Sequence, residues 1–234
     1  MSDILLEVND LDAFYGDAQV LFSLSMRLRR AEMLALIGAN GAGKSTFLKS
    51  IVGLVNSKGG EINYQGRSIA HRPAFEIVVE GIALVPEGRR LFPSLSVEEN
   101  LLIGGKVRRP GIWNLDSIYE LFPALKDKRR APATLLSGGQ QQMVAIGRAL
   151  MSNPDLLLVD ELSLGLAPIV IKDIYDLLPL ITRTGLSLII VEQDVTCALR
   201  VADRFTCMLE GRISLEGEPA DFTRDQVTAA YFGT

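Results

Sequence analysis

Histidine and cysteine are scarce in this sequence, and it has no long apolar run; each shortage removes a class of function. One histidine, His71, and two cysteines, Cys197 and Cys207, fall short of the four Cys and His ligands that a structural zinc site takes. The cysteines stand ten positions apart with no CxxC spacing, which reads as two buried reduced thiols rather than a disulfide. No stretch reaches the ~18–20 consecutive apolar residues that span a bilayer. The opening Met1-Ser-Asp-Ile-Leu-Leu-Glu7 lacks the basic region and apolar centre of a secretory leader. Basic residues are never pooled. Pairs such as Arg108-Arg109 and Arg129-Arg130 are scattered, and the net charge is −4. A nucleic-acid backbone favours one concentrated basic face, so neither DNA nor RNA is expected as a partner. The chain is expected in the cytosol unless another chain holds it at a membrane.

What is present suits a folded α/β domain. The 234 residues are 48% hydrophobic and 22% charged, enough for a sizeable core. Alternation at 5–8 and 22–28 predicts two half-buried strands of an antiparallel sheet. Residues 33–37 are continuously apolar, end in a glycine-rich loop and lead into a helix over about 43–52. The runs 82–85, 156–159 and 188–191 read as buried parallel strands. Between them, residues from about 88 to 152 look mainly helical. Ser96 and Glu99 have capping-box spacing, and Asn114 caps a helix that ends before Pro123. Strands at 205–209 and 212–215, turning at Gly211, precede a closing helix that leads to Tyr231.

The loop Gly38-Ala-Asn40-Gly41-Ala-Gly43-Lys44-Ser45-Thr46 fits GxxxxGK[ST] and lies between a strand and a helix, the context the motif requires. Small residues let backbone N–H groups curl around phosphates, and the helix N-terminus favours negative charge there. Lys44 would then reach the β- and γ-phosphates of ATP while the Ser45 hydroxyl would hold Mg²⁺. Downstream, a buried strand at 156–159 runs into Asp160 and Glu161. Beside such a cradle, Asp160 suits the metal and Glu161 suits polarising the attacking water. Taken alone, the pair is as readily a strand entering a turn.

Leu136-Ser137-Gly138-Gly139-Gln140 precedes a helix through Met143, Ile146 and Leu150. Locally it is another capping box, and its two glycines leave N–H groups open to an anion. The segment also resembles the signature of ABC ATPases, and the order of cradle, LSGGQ and Asp-Glu carries that resemblance along essentially the whole chain. It implies a P-loop ABC-type nucleotide-binding domain of α/β class with an antiparallel β subdomain and a helical insert. The chain would be one domain over 1–234, its core 1–87 and 153–234 and its helical subdomain about 88–152. The resemblance places Tyr15 on the adenine (a core tyrosine being the alternative) and sets Ser137, Gly138, Gly139 and Gln140 over ATP held by an opposite subunit. Residues 163–168 would touch that subunit, and the segment 85–101 would join the core to the helical insert and meet a membrane partner.

Three positions depart from the family's pattern. Glu87 stands where a metal-sensing glutamine is usual, Gln193 replaces the switch histidine, and Leu162 replaces a proline. Gln193 can offer phosphate a neutral hydrogen bond but no positive charge. Glu87 adds an anionic acceptor near Mg²⁺. The segments 85–101 and 163–168 and the ending Ala230-Tyr231-Phe232-Gly233 are most similar to the second ATPase subunit of branched-chain amino-acid importers. That likeness implies a second ABC ATPase subunit, two transmembrane permease subunits and a periplasmic solute-binding protein as partners. It implies a peripheral place on the cytoplasmic face of the bacterial inner membrane. Import of urea, amides or other amino acids, and a degenerate ABC module that binds ATP with little turnover, are the alternatives. A soluble ABC ATPase acting on DNA or ribosomes would carry coiled-coil insertions or two cassettes, and neither is present.

Overall fold

The computed structural model describes residues 3–233; Met1 and Ser2, on which the leader reading partly falls, and Thr234 lie outside the described residues. Along the chain run β1 (Ile4–Tyr15), β2 (Ala18–Arg29), β3 (Met33–Ile37), α1 (Lys44–Ile51), β4 (Ser57–Tyr64), β5 (Arg67–Ser68), α2 (Ala74–Glu80) and β6 (Ile82–Val85). Next come α3 (Val97–Gly105), α4 (Leu115–Leu121), α5 (Pro123–Lys126), α6 (Gly138–Leu150), β7 (Leu156–Asp160) and α7 (Pro168–Thr182). The chain closes with β8 (Ser187–Glu192), α8 (Val195–Val201), β9 (Arg204–Leu209), β10 (Arg212–Gly217) and α9 (Arg224–Phe232).

A strand that is apolar at every position needs cover on both faces, and the central sheet supplies it. Its order is β10-β9-β3-β8-β7-β6, parallel from β9 through β6 with β10 antiparallel at the edge. Side chains alternate between two cores. Met33, Ala35 and Ile37 enter one, with Leu157, Val159, Leu188 and Ile190; Leu34 and Leu36 enter the other, with Leu156, Leu158, Ile189 and Val191. The first core is completed by helices α3 to α9, and the second by Phe47, Leu48 and Ile51 of α1 and the inner face of a four-stranded sheet, β2-β1-β4-β5.

This antiparallel sheet is more extensive than the alternation at 5–8 and 22–28 predicts. β1 and β2 each run 12 residues, with irregular register where polar residues interrupt the pattern. β4, β5 and α2 have no counterpart in the sequence reading. β4 hides because Lys58-Gly59-Gly60 carries no apolar alternation; Gly60, at φ +83°, lies against the backbone of Asn9 and Asp10, where any side chain would clash.

Helices α3 to α6 lie between β6 and β7, and their apolar residues Val97, Leu101, Ile118, Phe122 and Val144 join the first core. Ser96 and Glu99 form the expected capping box, as do Asn114 and Ser117 for α4, which ends before Pro123. The segment leading into α3 has an unusual backbone: Gly88, Arg89 and Arg90 all have positive φ. Arg148 of α6 donates to the carbonyls of Arg90 (2.9 Å) and Arg89 (3.1 Å), and the buried Asn100 amide bonds to Phe92, Leu95 and Ser96. Among the described residues no helix is long and apolar enough to cross a membrane.

Candidate nucleotide site

The cradle is formed where β3 ends and α1 begins, at the C-terminal edge of the parallel strands. Gly38 packs so tightly against the Met208 carbonyl that a Cβ there would collide with it. Gly43, the N-cap of α1 at φ +100°, leaves only 2.8 Å between an added Cβ and Leu21. Glycine is therefore required twice, once for close approach and once for conformation. The turn between β9 and β10 supports the loop from behind, as Gly211 N–H donates to the Ala42 carbonyl at 3.0 Å. Asn40 and Gly41 are exposed at the tip and Thr46 is buried below.

Lys44 is only 4% exposed, and its ammonium donates to the carbonyls of Gly38 (2.6 Å) and Ala39 (2.9 Å). Burial lowers its pKa, opposed by the negative charges of Glu161, Asp160 and Glu192. At the next residue, the Ser45 hydroxyl donates to Asp160 Oδ1 at 2.8 Å, joining residues 115 positions apart. Asp160 is 2% exposed at the end of β7, and burial raises its pKa; the Ser45 bond and the charge of Lys49 work against that rise. Glu161 is left-handed at φ +50°, and its N–H bonds to the Val191 carbonyl at 3.1 Å, which turns the chain sharply off the strand.

Gln193 lies directly beside this turn. Its Nε2 donates to Glu161 Oε1 at 2.8 Å, so in this structure the amide is directed at the carboxylate rather than at the cradle. Nothing in the sequence reading anticipated that pairing. Neither did it single out Glu192, 1% exposed at the end of β8, which accepts bonds from the Ser163 N–H (3.0 Å), the Ser163 hydroxyl (2.7 Å) and the Gln193 N–H (3.3 Å). A carboxylate closing the otherwise apolar run Ser187–Glu192 was the available signal, because a buried acid must find donors. Glu87, just past β6, is exposed and makes no side-chain hydrogen bond among the described residues; its charge contributes to the rise at Asp160.

Ser137, Gly138, Gly139 and Gln140 are not brought to this cluster. Ser137 accepts from Gln140 N–H at 3.3 Å and the Gln140 side chain accepts from Ser137 N–H at 3.2 Å, the expected capping box at the start of α6. Lys128 reaches Gln140 Oε1 at 3.1 Å. Gly139 sits against Val170 of α7, where a Cβ would overlap the valine. Among the described residues no hydrogen bond links 137–140 to the 38–46 loop. Tyr15 ends β1 at the turn through Gly16 and is 50% exposed, so its ring is open to a ligand and is not a core ring.

The donor set fits Mg-ATP. Backbone N–H groups at a helix N-terminus and a cation at the cradle suit phosphate oxygens. The Ser45 hydroxyl with the Asp160 carboxylate, a buried acid with no cationic side chain bonded to it, suits a hard divalent cation.

Comparison with known proteins agrees with this geometry. Residues 21–163 match the sequence profile of the family described as "ABC transporter". The high-affinity branched-chain amino acid transport ATP-binding protein BraG of Pseudomonas aeruginosa is 43% identical over 98% of this chain and 100% of its own. The probable branched-chain amino acid transport ATP-binding protein LivF of Archaeoglobus fulgidus is 33% identical, over 91% of this chain and 92% of its own. An ATP-binding cassette of an ABC transporter, solved in its ADP conformation, superimposes with a TM-score of 0.84 at 25% identity over all of both chains.

Proposed function

This chain belongs to the ABC transporter ATP-binding proteins, and from that premise we propose that it powers an importer of branched-chain amino acids. It is an ABC-type ATPase coupled to transport. The observation that carries the residue assignments is the convergence at one strand edge of Lys44, the bonded pair Ser45 and Asp160, and Glu161 held by Gln193. The printed functions of the Pseudomonas and Archaeoglobus relatives support the solute class.

Lys44 leaves its loop carbonyls for the β- and γ-phosphates, while the N–H groups of the glycine-rich loop close on the same oxygens. Ser45 and Asp160 would hold Mg²⁺, with Glu87 as a further acceptor near the metal. When bound, Mg²⁺ offsets the negative charge of the β- and γ-phosphates. Glu161 accepts a proton from the attacking water. The Gln193 amide carries two N–H donors, so one can fix Glu161 while the second is free for water or phosphate. Tyr15 stacks on the adenine.

The segment 137–140 serves a cradle other than its own, which supports a paired assembly with a second ABC ATPase subunit. Two permease subunits would hold the pair peripherally on the cytoplasmic face of the inner membrane, with a periplasmic solute-binding protein outside. In that division residues 1–87 and 153–234 form the core, and about 88–152 form the helical subdomain that meets the permeases. The test is solute uptake and phosphate release by the complex assembled from this chain and its genetic neighbours. Leucine, isoleucine or valine should stimulate hydrolysis. Stimulation by urea or an amide instead would overturn the solute assignment, and absence of phosphate release would overturn the motor.

A further inference from the structure

Glu192 is a carboxylate with almost no access to water and, among the described residues, no ion pair, a costly placement unless donors surround it. Its donors come from two different loops. Oε1 accepts from the Ser163 backbone N–H, and Oε2 accepts from both the Ser163 hydroxyl and the Gln193 backbone N–H. Ser163 stands two residues beyond Glu161, and Gln193 is the residue whose side chain holds Glu161. The Tyr175 hydroxyl of α7 is buried close to the same carboxylate, whose charge, after burial, pushes the phenol's ionisation up. The Glu192 charge also reaches Lys44 in the cradle.

We propose that Glu192 is a positioning residue: by clamping the loop of Ser163 to the strand end of Gln193, it fixes the place at which Gln193 holds Glu161. A carboxylate is suited to this because it accepts at both oxygens and donates at neither. A glutamine in its place turns an NH₂ group toward either the Ser163 N–H or the Gln193 N–H, whichever way the amide is set. One backbone donor then loses its acceptor and its loop shifts. The effect should fall on the chemical step, since neither Ser163 nor Gln193 belongs to the cradle loop that grips ATP. The inference rests on the ATPase reading, in which Glu161 is the base and residues 163–168 face the opposite subunit.

The experiment compares wild type, Glu192→Gln, Gln193→Ala and the double variant of the full chain. Mg-ATP affinity is measured by titration, and hydrolysis in a single turnover of the complex assembled with its partner subunits, in excess over ATP and with the partner ATPase's own cradle disabled. Glu192→Gln should keep the dissociation constant within about twofold while slowing the single turnover about tenfold or more, the signature of a loss confined to the transition state. In the Gln193→Ala background the same change should cost less than about twofold, because the two residues act in series. Purely structural loosening would instead give an undiminished loss in that background, and this result overturns the proposal. So does an unchanged rate for Glu192→Gln, or a weakened affinity with an unchanged rate once ATP is bound. If circular dichroism shows Glu192→Gln unfolded, Ser163→Ala removes one of the three bonds and is read by the same split and the same coupling. An assembled complex in which the wild-type chain hydrolyses no Mg-ATP overturns the ATPase reading and takes this inference with it. An unaltered Glu192→Gln overturns this inference alone.

Discussion

The side-chain amide of Gln193 donates a 2.8 Å hydrogen bond to Oε1 of Glu161, across a gap of 32 residues in the chain. A hydrogen bond to a charged group contributes about 1.5–3 kcal/mol. If its full worth is expressed at the transition state, Gln193→Ala should slow single-turnover hydrolysis by roughly ten- to a hundred-fold. Nucleotide affinity should stay within about threefold, because the amide does not touch the cradle. Rapid-quench kinetics beside equilibrium titration separates the two quantities.

Lys44→Ala should abolish tight binding of Mg-ATP and leave the fold intact. The ammonium is desolvated and bonds to the Gly38 and Ala39 carbonyls, so its removal relieves burial of a charge while it deletes the cation that meets phosphate. Isothermal titration should show no saturation at millimolar ATP, with an unchanged far-UV spectrum.

Glu161→Gln should retain binding and lose turnover by about a hundred-fold or more, the usual contribution of a general base. The glutamine Oε1 still accepts from Gln193, and the 161 N–H still bonds to Val191, so the turn survives. Size-exclusion chromatography with ATP should reveal an accumulated pair of chains, and a variant that hydrolyses at the wild-type rate would assign the base elsewhere.

Asp160 couples stability to pH. Burial raises its folded-state pKa above the unfolded value, so the unfolded chain releases the proton first as pH rises. Stability is therefore highest below the unfolded pKa, near about 3.9, falls as pH climbs toward the folded pKa, and stays lowered above it. Without nucleotide, Asp160→Asn should melt higher than wild type at neutral pH and lose that advantage below about pH 4. With Mg-ATP the order should reverse, because the asparagine holds the metal poorly. Scanning calorimetry across pH, with and without Mg-ATP, measures both.

Ser137→Ala should cost about 0.5–2 kcal/mol of stability through loss of the α6 cap. It should leave this chain's own affinity for ATP unchanged, since no hydrogen bond runs from 137–140 to the cradle. In an assembled pair the same change should slow hydrolysis at the opposite cradle. Combining the variant with Lys44→Ala in this chain, or with a disabled cradle in the partner subunit, assigns the loss to one site.

Much of this site was legible because its signals are local. The cradle is a contiguous loop between strand and helix, Asp160 and Glu161 follow an apolar run, and the Ser137–Gln140 capping box is set by spacing alone. What the sequence withheld is long-range. No spacing rule pairs Gln193 with Glu161 or Glu192 with Ser163, because each pairing exists only once β7 and β8 lie side by side. The strand β4 was missed for a different reason: its outer half is polar and glycine-containing, so its pairing with β1 rather than its own propensity holds it in the sheet.

Strand β3, which bears the cradle, lies between β8 and β9, and the loop itself rests on Met208 and Gly211. A ribosome therefore releases the whole of residues 38–46 long before the polypeptide that must flank and support them. Strands β8 (Ser187–Glu192) and β9 (Arg204–Leu209) emerge long after β3 (Met33–Ile37), so the nascent chain must keep β3's apolar residues from other partners until then. Ordering of the ligand loop is a late event of folding, and a topology this rich in distant pairings folds slowly. Nucleotide capture thus serves as a report that the chain has been made through the turn after β9 and has found its place.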